Sequence, residues 1–260
     1  MTTPPTPAQF LELVAIDVAV LAADFVRSAS GAATTAAVKS SPTDVVTHTD
    51  FGSEQLIRSE LMARCPGSTI VGEEFDESVG ASNVGWIVDP IDGTVNFLYD
   101  LPVVAISIAA TIDGQVVAGA VVDVHRGDTY SAAQGLGARH NGATAIASTA
   151  TDLSQALVGT GFSYDTRTRA SEARILNRVL PACRDIRCMG SAALSLCWVG
   201  CGRLDGFYER DLKIYDYAAG ALIAIEGGAT TELPAANVTD LTIAAGPGTF
   251  TSLRALVDDV

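Results

Sequence analysis

The chain has 260 residues, of which 48% are hydrophobic and 18% are charged, and its formal net charge is −14. This composition is that of a globular protein with a sizeable core and excludes an intrinsically disordered chain. The sequence contains no basic cluster, so its charge argues against a protein that binds the phosphate backbone of nucleic acids. An acidic enzyme with an anionic substrate would need bound cations to reverse the local charge.

The N-terminal region predicts one amphipathic helix. Residues 1–7 are polar and proline-rich and lack the basic start of a signal peptide. Residues 10–26 are largely apolar but carry Glu12, Asp17 and Asp24, which excludes a membrane span. Because neither signal is present, we expect a cytoplasmic protein. The three- and four-residue spacing of the apolar side chains predicts a stripe that faces the core, formed by Phe10, Val14, Val18, Leu21 and Phe25.

The rest of the first half predicts a loop, a helix and a set of strands. Residues 28–41 are rich in Gly, Ala, Thr and Ser and predict a mobile loop that carries Lys39. Residues 50–64 predict a helix that stops before Pro66. Strands are predicted near residues 69–71 and 86–88, followed by antiparallel strands at residues 105–111, 116–123 and 128–132. Asp113-Gly114 predicts a two-residue hairpin between the first two of these antiparallel strands.

In the second half, predicted strands and helices alternate. Strands are predicted at residues 157–159, 185–188, 203–208 and 241–245, and helices at residues 170–180, 191–199, 217–226 and 249–257. A change of pattern near residues 145–152 marks a candidate boundary. We therefore divide the chain into residues 1–148, with most of the candidate metal ligands, and residues 149–260, closely packed as one catalytic unit.

The cysteine pattern predicts reduced structural thiols. The five cysteines form no C-x-x-C pair, and no histidine lies near enough in sequence to complete a zinc site. An odd number of cysteines without a secretory signal favours free and mostly buried thiols.

Residues 86–97, WIVDPIDGTVNF, are the most informative stretch of the sequence. An apolar run typical of a buried strand leads to Asp89 and Asp92, and Gly93-Thr94 then opens a possible helix. Carboxylates at a strand end, followed by a helix N-terminus, suit a divalent cation that holds an anion. The alternative is a solvated Asp-Gly turn between two elements.

Two further acidic elements follow apolar runs. Residues 68–72 lead to Glu73 and Glu74, two adjacent carboxylates that repel each other unless a cation or solvent screens them. Far downstream, Glu209 follows an extended segment, and Asp216 precedes the helical residues 218–226. Plain solvent exposure and helix capping are the alternatives. Three acidic elements at the ends of apolar segments favour a shared metal site.

These motifs, taken in order, resemble the inositol monophosphatase family of Mg-dependent phosphatases, within the superfamily that includes fructose-1,6-bisphosphatases. The resemblance covers nearly the whole chain and rests on residues 39–42 (KSSP), 47–50 (THTD), 72–74 (GEE), 89–94 (DPIDGT), 190–193 (GSAA) and 216–220 (DYAAG). One departure is Tyr215, where the family usually has Trp. The resemblance implies an α/β (α+β) fold, a layered α-β-α-β-α sandwich, and a homodimer.

The resemblance also implies a metal site with two or three Mg²⁺ ions. Glu73, Asp89 and the Ile91 carbonyl would hold one ion; Asp89, Asp92 and Asp216 would hold a second, and a third would bind weakly. Oxygen ligands are those that Mg²⁺ prefers. The three histidines are widely scattered, which gives little support to a zinc or phosphohistidine mechanism.

The catalytic roles that the resemblance implies centre on an attacking water. Thr94 and Asp50 would form a hydrogen-bonded pair that orients and deprotonates this water, with Glu73 assisting. The amides of Gly93 and Thr94 would cradle the phosphate, and the water would attack in line without a covalent phosphoenzyme. Considered without the resemblance, Asp50 is more simply a helix N-cap.

The resemblance implies a polyol phosphate as substrate. The implied substrate contacts are Gly93, Thr94, Ser191, Ala192, Glu209 and Asp216. Glu209 would accept hydrogen bonds from the hydroxyls, although an exposed strand-end glutamate is the alternative. Arg187 could approach the substrate or pair with an acid such as Glu209.

We therefore predict a Mg-dependent, lithium-sensitive phosphomonoesterase that hydrolyses myo-inositol 1-phosphate or a similar polyol phosphate. A phosphatase of the same scaffold for histidinol phosphate, fructose-1,6-bisphosphate or a 3′-phosphoadenosine nucleotide is one alternative. A non-enzymatic role in binding a protein such as transcription machinery is another. The sequence has neither a G-x-S-x-G elbow nor a Walker A loop, which argues against serine hydrolase chemistry and use of ATP.

Overall fold

Helices and sheets alternate in layers in a computed structural model that describes residues 5–30, 35–38, 45–234 and 240–258. The elements of the first half are α1 (Pro7–Ser28), β1 (Thr35–Val38), β2 (Val45–Thr47), α2 (His48–Arg64), β3 (Thr69–Gly72), β4 (Val84–Asp92), α3 (Thr94–Leu98), β5 (Ala105–Ile112), β6 (Gln115–Asp123), β7 (Thr129–Ala133), β8 (Ala138–His140) and β9 (Ala143–Ala145). Those of the second half are β10 (Leu157–Thr160), α4 (Thr166–Val179), β11 (Asp185–Cys188), α5 (Ala192–Gly200), β12 (Gly206–Arg210), α6 (Ile214–Glu226), β13 (Thr230–Glu232), β14 (Leu241–Ala245) and α7 (Phe250–Val257), with 3₁₀ turns at Leu153–Gln155 and Leu180–Ala182.

The predicted N-terminal helix is confirmed as α1, but its predicted apolar stripe is partly wrong. Thr6 caps the helix in a capping box with Gln9, and Pro7 occupies the first helical turn. Phe10, Leu21 and Phe25 are 39–47% exposed. The buried face is instead the neighbouring one, Leu11, Val14, Ala15, Val18, Ala19, Ala22, Ala23 and Val26. The alanines on this face let the helix lie close to β5, β6 and β7, so it is the small side chains that are covered.

A seven-stranded sheet occupies the first half, with the strand order β3-β4-β5-β6-β7-β8-β9. β3 and β4 run parallel, and each later neighbour is antiparallel. The predicted Asp113-Gly114 hairpin between β5 and β6 is confirmed, and both residues have the positive φ that a type I′ turn requires. The short strands β8 and β9 were not predicted, because three-residue strands carry too little alternation to be recognised.

A five-stranded sheet occupies the second half, with the order β11-β10-β12-β14-β13. β11, β10 and β12 are parallel, whereas β14 and β13 are antiparallel to their neighbours. α4 and α7 pack on one face of this sheet. α5 and α6 cover the other face and also cover the free face of the seven-stranded sheet.

The resulting layers confirm the predicted α-β-α-β-α sandwich. They are, in order, α1 with α2, the seven-stranded sheet, α5 with α6, the five-stranded sheet, and α4 with α7. Each large sheet lies within one of the two predicted halves. The inner helical layer comes from the second half yet contributes to the core of the first, so the two halves share buried surface.

Three further sequence expectations can be compared with the structure. Residues 35–38 form β1 rather than loop, paired with β2, while Lys39 lies outside the described residues. All five cysteines are free, as predicted, but of these Cys197 alone is fully buried and Cys188 is exposed. Among the described residues, no helix combines the length and the apolar character needed to cross a membrane.

Candidate active site

The end of β4 brings Asp89 and Asp92 to one side of the seven-stranded sheet. Asp89 lies opposite Ser107 of β5, and the register then shifts before Asp92. The two carboxylates therefore lie at the strand end, as the sequence predicted, although the strand continues to Asp92, and both are buried. Asp89 Oδ1 accepts a hydrogen bond from the Ile91 amide at 3.1 Å.

Gly93 makes the sharp turn from β4 into the short helix α3. Its φ is +99°, and an added Cβ would lie 2.8 Å from the Val103 carbonyl oxygen and 3.0 Å from that of Gly190. A side chain is excluded here both by backbone conformation and by space. The turn places Thr94 at the first position of α3, beside the two aspartates.

Thr94 and Asp50 form the hydrogen-bonded pair that the family resemblance implies. The Thr94 hydroxyl lies 3.0 Å from Asp50 Oδ1 and 3.1 Å from the Ile91 carbonyl oxygen. Asp50 is fully buried. It is not the N-cap of α2, because Thr47 holds that position and its amide donates to Asp50 Oδ2 at 3.0 Å, in a capping box. Asp50 thus joins the start of α2 to the start of α3.

Asp92 binds the N-terminus of α5, which belongs to the second half of the chain. Its Oδ2 accepts hydrogen bonds from the Ser191 hydroxyl and, at 2.8 Å, from the Ala193 amide. Its Oδ1 lies 3.3 Å from the Ala192 amide. Ser191 is also the N-cap of α5. The predicted contact loop at Ser191 and Ala192 is therefore fixed to a predicted metal ligand.

Asn96 provides a second connection between the halves. Its side-chain amide donates to the carbonyl oxygens of Val103 and Met189, each at 2.8 Å. It also packs against Gly190, whose φ is +76° and where an added Cβ would lie 2.8 Å from Asn96 Nδ2. Asn96 thus holds the loop before α5 beside the start of α3.

Asp216 and Glu209 come from the second half. Asp216 is the third residue of α6, where it accepts a hydrogen bond of 2.5 Å from the amide of the N-cap residue Lys213. The N-cap alternative for Asp216 is therefore wrong, because the helix begins earlier than predicted. Glu209 lies in β12, and an added Cβ at Gly161 would lie 2.2 Å from its carboxylate. Arg187 pairs with Asp185 at 2.6 Å.

One cavity of about 920 Å³ contains nearly all the predicted site residues. Its walls include Glu73, Asp89, Ile91, Asp92, Gly93, Thr94, Ser191, Ala192, Glu209 and Asp216. Asp50 does not line the cavity and reaches it through Thr94. A further part of the wall was not predicted and comprises the loop after β10 and one face of α4, with Phe162, Tyr164, Arg169, Ala173 and Leu176.

Burial and mutual repulsion shift the carboxylates of this cavity towards their neutral forms. Burial, followed by the charges of Glu73, Asp92 and Asp216, raises the pKa of Asp89 well above its usual range. Burial raises the pKa of Asp92 to about 6, although its three hydrogen bonds oppose the shift. The pKa of Asp216 rises to about 8, through burial and then the charge of Asp92. Burial likewise raises the pKa of Glu209 well above its usual range.

The donor set fits a hard divalent cation. The groups are carboxylates and a backbone carbonyl, and their shared negative charge is what a bound cation would balance. In the part of the chain that the structure describes, no three acidic, histidine or cysteine side chains are already arranged to hold a metal ion. In this structure the carboxylates hydrogen-bond to the protein: Asp89 to Ile91, Asp92 to the start of α5, and Asp216 to Lys213.

Glu54 and its partner Arg58, which lie behind the site, were also missed in the sequence. Glu54 is fully buried behind the segment that carries Glu73, and it pairs with Arg58 at 2.8 Å. Glu54 lies four residues after Asp50, on the same face of α2, which is the signal that could have revealed it.

Comparisons with known proteins agree with this geometry. The inositol monophosphatase family matches residues 8–257. An inositol-1-monophosphatase from Mycobacterium leprae is 44% identical over 98% of this chain and 96% of its own length. A protein from Salmonella typhimurium named Nus factor SuhB is 40% identical over 71% of this chain and 70% of its own length.

A solved structure extends the likeness to the fold. The structure of Mycobacterium tuberculosis SuhB superposes with a TM-score of 0.84 at 43% identity, covering 98% of this chain and 97% of the other. Family match, sequence identity and fold all extend over nearly the whole length. The chain therefore belongs to the inositol monophosphatase family of phosphatases.

Proposed function

We propose that the chain is a Mg²⁺-dependent phosphomonoesterase that hydrolyses myo-inositol 1-phosphate or a similar polyol phosphate. The observation that carries this proposal is the convergence of Glu73, Asp89, Asp92, Glu209 and Asp216 on one cavity, beside the Thr94 hydroxyl. Family membership supports phosphatase chemistry, and the inositol-1-monophosphatase relative from Mycobacterium leprae supports the substrate.

Mg²⁺ would be held by Glu73, Asp89, the Ile91 carbonyl, Asp92 and Asp216, with two or three ions per site. When bound, the metal would supply positive charge against the ester dianion and the leaving alkoxide, and would acidify the attacking water. The raised pKa values of Asp89, Asp92 and Asp216 support this assignment, because a bound cation would offset both the burial and the mutual repulsion that raise them.

Thr94 and Asp50 would orient and deprotonate the attacking water. The single hydroxyl proton of Thr94 points towards Asp50 Oδ1 and the Ile91 carbonyl oxygen, the two acceptors within hydrogen-bond distance. The oxygen lone pairs of Thr94 therefore remain available to accept a hydrogen bond from water in the cavity. The Thr94 oxygen would accept a proton from the water as the Thr94 hydroxyl proton passes to the Asp50 carboxylate, and Glu73 would assist as a base. The water would then attack phosphorus in line, without a covalent phosphoenzyme.

Substrate binding would use both halves of the chain. The amides of Gly93 and Thr94 at the turn into α3 would cradle the phosphate, and Ser191 and Ala192 would line the polyol pocket. Glu209 would accept hydrogen bonds from ring hydroxyls. A buried acceptor of this kind penalises an analogue that lacks the hydroxyl.

A panel of phosphate esters, assayed while Mg²⁺ is titrated from zero, tests this proposal. We expect no turnover without a divalent cation and the highest kcat/KM for inositol 1-phosphate. Fast hydrolysis of histidinol phosphate, fructose-1,6-bisphosphate or a 3′-phosphoadenosine nucleotide, with inositol phosphate refused, would assign the scaffold to another ester. We also propose inhibition by millimolar lithium, which the same assay measures, and a homodimer, which light scattering measures. We further propose a cytoplasmic location.

A second candidate function is binding to a protein partner. It is favoured by the name Nus factor SuhB of the relatives that share about 40% identity over 71% of this chain. A pull-down from a cell lysate with wild type and Asp92→Asn separates the two roles. A partner retained by both proteins would support a binding role that does not depend on turnover.

A further inference from the structure

The buried carboxylate of Glu54 contacts the chain on both sides of Glu73. Before Glu73, the carboxylate occupies the space where a side chain at Gly72 would project, since an added Cβ there would lie 2.0 Å from Glu54 Oε1. After Glu73, the amide of Glu74 donates a hydrogen bond of 2.7 Å to Glu54 Oε2. The two residues that flank Glu73 are thus fixed by one side chain from α2.

Arg58 holds this carboxylate in place and extends the support along the same segment. Its Nε donates to Glu54 Oε1 at 2.8 Å, one helical turn away on α2. Its Nη2 donates to the Phe75 carbonyl oxygen at 3.1 Å, and its guanidinium lies 5.8 Å from the centre of the Phe75 ring. Arg58 Nη1 also lies 3.3 Å from the Ser78 hydroxyl.

The cost of burying Glu54 indicates a role beyond helix stability. The Glu54 side chain has no exposed surface, whereas its partner Arg58 is 16% exposed. A buried ion pair is weak evidence for stability, because desolvation offsets much of the attraction. What the pair does provide is a fixed backbone position for residues 72–75. Glu73 belongs to this segment and lines the cavity.

We propose that Glu54, held by Arg58, is a positioning residue that presents the Glu73 carboxylate for metal binding. The proposal rests on the proposed function, in that Glu73 must be a metal ligand. Glu54 does not line the cavity and acts through the backbone of Gly72 and Glu74. Groups behind metal ligands typically change metal affinity by about 10–100-fold when they are altered.

A double-mutant cycle between Glu54 and Glu73 tests this proposal. Wild type, Glu54→Gln, Glu73→Gln and the double variant are titrated with Mn²⁺, and free Mn²⁺ is measured by electron paramagnetic resonance. Glutamine keeps the contact with Gly72. It has one neutral acceptor oxygen, so it cannot accept hydrogen bonds from both Arg58 and Glu74 as the two carboxylate oxygens do. We expect Glu54→Gln to weaken Mn²⁺ binding by about tenfold when Glu73 is present and to have little effect when Glu73 is replaced.

Glu12→Gln is the matched control. Glu12 is also a buried helical glutamate, 7% exposed, and it accepts a hydrogen bond of 2.7 Å from Ser131, away from the cavity. We expect its replacement to leave Mn²⁺ affinity unchanged. Equal weakening by Glu54→Gln with and without the Glu73 carboxylate would mean general loosening of the site and would overturn the proposal.

The cycle also separates failure of the inference from failure of the proposed function. If Glu73→Gln weakens Mn²⁺ binding but Glu54→Gln leaves it unchanged, the positioning role is wrong and the metal site stands. If Glu73→Gln itself leaves Mn²⁺ binding unchanged, Glu73 is not a metal ligand. In that case both the positioning role of Glu54 and the proposed metal site are wrong.

Gly72→Ala provides a second perturbation in case Glu54→Gln does not fold. It leaves the Glu54–Arg58 pair chemically intact but displaces the carboxylate, because the new Cβ meets Oε1. We expect the same direction of change, weaker Mn²⁺ binding that depends on the presence of Glu73. Wild-type affinity in a folded Gly72→Ala protein would contradict the proposal.

Discussion

The carboxylate of Asp92, at the end of β4, accepts a 2.8 Å hydrogen bond from the amide of Ala193 at the start of α5. The two residues are 101 positions apart and belong to different halves of the chain. A helix N-terminus favours a negative charge, so this contact stabilises the ionised form of a carboxylate whose burial favours the neutral form. The proposed metal site is therefore assembled only when the two halves are packed together.

Asp92→Asn should abolish turnover and leave the fold intact. The change removes a negative charge from the proposed metal site but keeps an oxygen that can accept from Ser191 or Ala193. We expect kcat to fall by more than about a hundredfold, since even groups behind metal ligands cost about 10–100-fold. The melting temperature of the metal-free variant should be no lower than that of wild type, because burial disfavours the charge. Turnover close to that of wild type at saturating Mg²⁺ would refute the assignment of Asp92.

Thr94→Ala should lower kcat much more than it raises KM. The hydroxyl is proposed to act on the attacking water, so its loss affects the transition state more than substrate binding. We expect kcat to fall by about a hundredfold, the lower end of what general acid–base groups contribute. Steady-state kinetics on inositol 1-phosphate measures both constants. Thr94→Ser is the control, because it keeps the hydroxyl that contacts Asp50 and should retain most of the activity.

Glu209→Gln should raise KM selectively for a polyol substrate. Gln keeps the side-chain volume that packs against Gly161 but has one acceptor oxygen where the carboxyl group has two. We expect KM for inositol 1-phosphate to rise about tenfold, which corresponds to the loss of about one hydrogen bond. KM for p-nitrophenyl phosphate, which has no ring hydroxyls, should not change. A parallel rise for both esters would show that Glu209 does not read the hydroxyls.

Asp128→Asn should weaken the dependence of stability on pH below about pH 4. Burial alone would raise the pKa of Asp128, but hydrogen bonds from Asn141, Arg126, His140 and Arg203 outweigh it and hold the pKa well below its usual range. The unfolded chain has the higher pKa, so the ionised carboxylate contributes stability above about pH 4, and this is lost as the pH falls towards the folded pKa.

Urea unfolding from pH 7 to pH 2.5 measures this contribution. Wild type should lose free energy of unfolding over the acidic part of the range, and Asp128→Asn should be less stable at pH 7 and lose less on acidification. Asp113→Asn is the control, because its side chain lies in an exposed hairpin turn with a 3.3 Å contact to Asn83. Identical pH profiles for wild type and Asp128→Asn would contradict the prediction.

Much of the fold follows from local sequence signals. Apolar periodicity identified α1, because one face of this helix is covered and the other is not. The strands β5 to β7 were recognised as largely apolar segments, because helices cover both faces of their sheet. The Asp113-Gly114 turn followed from the positive φ that both positions require. The α1 stripe was misplaced because large apolar side chains were weighted over alanines, whereas the sheet lies against the alanines.

The acidic part of the site followed from carboxylates at the ends of apolar runs. The parts that were missed depend on contacts between remote residues. A Glu54–Arg58 pair four residues apart is typical of an exposed helix face. Here the Glu54 carboxylate is instead buried against Gly72, a contact that the sequence does not indicate. In the same way, nothing near Asn96 in sequence indicates that its amide holds the Met189 carbonyl.

The inner layer formed by α5 and α6 has a consequence for any attempt to divide the protein. Leu194 and Ile223 of this layer pack on the seven-stranded sheet, while Leu196 and Val199 pack on the other. A protease cut between residues 146 and 156 would therefore not release two autonomous domains. We expect each isolated fragment to expose a bare apolar face and to aggregate, and the two fragments to regain solubility only by complementing each other.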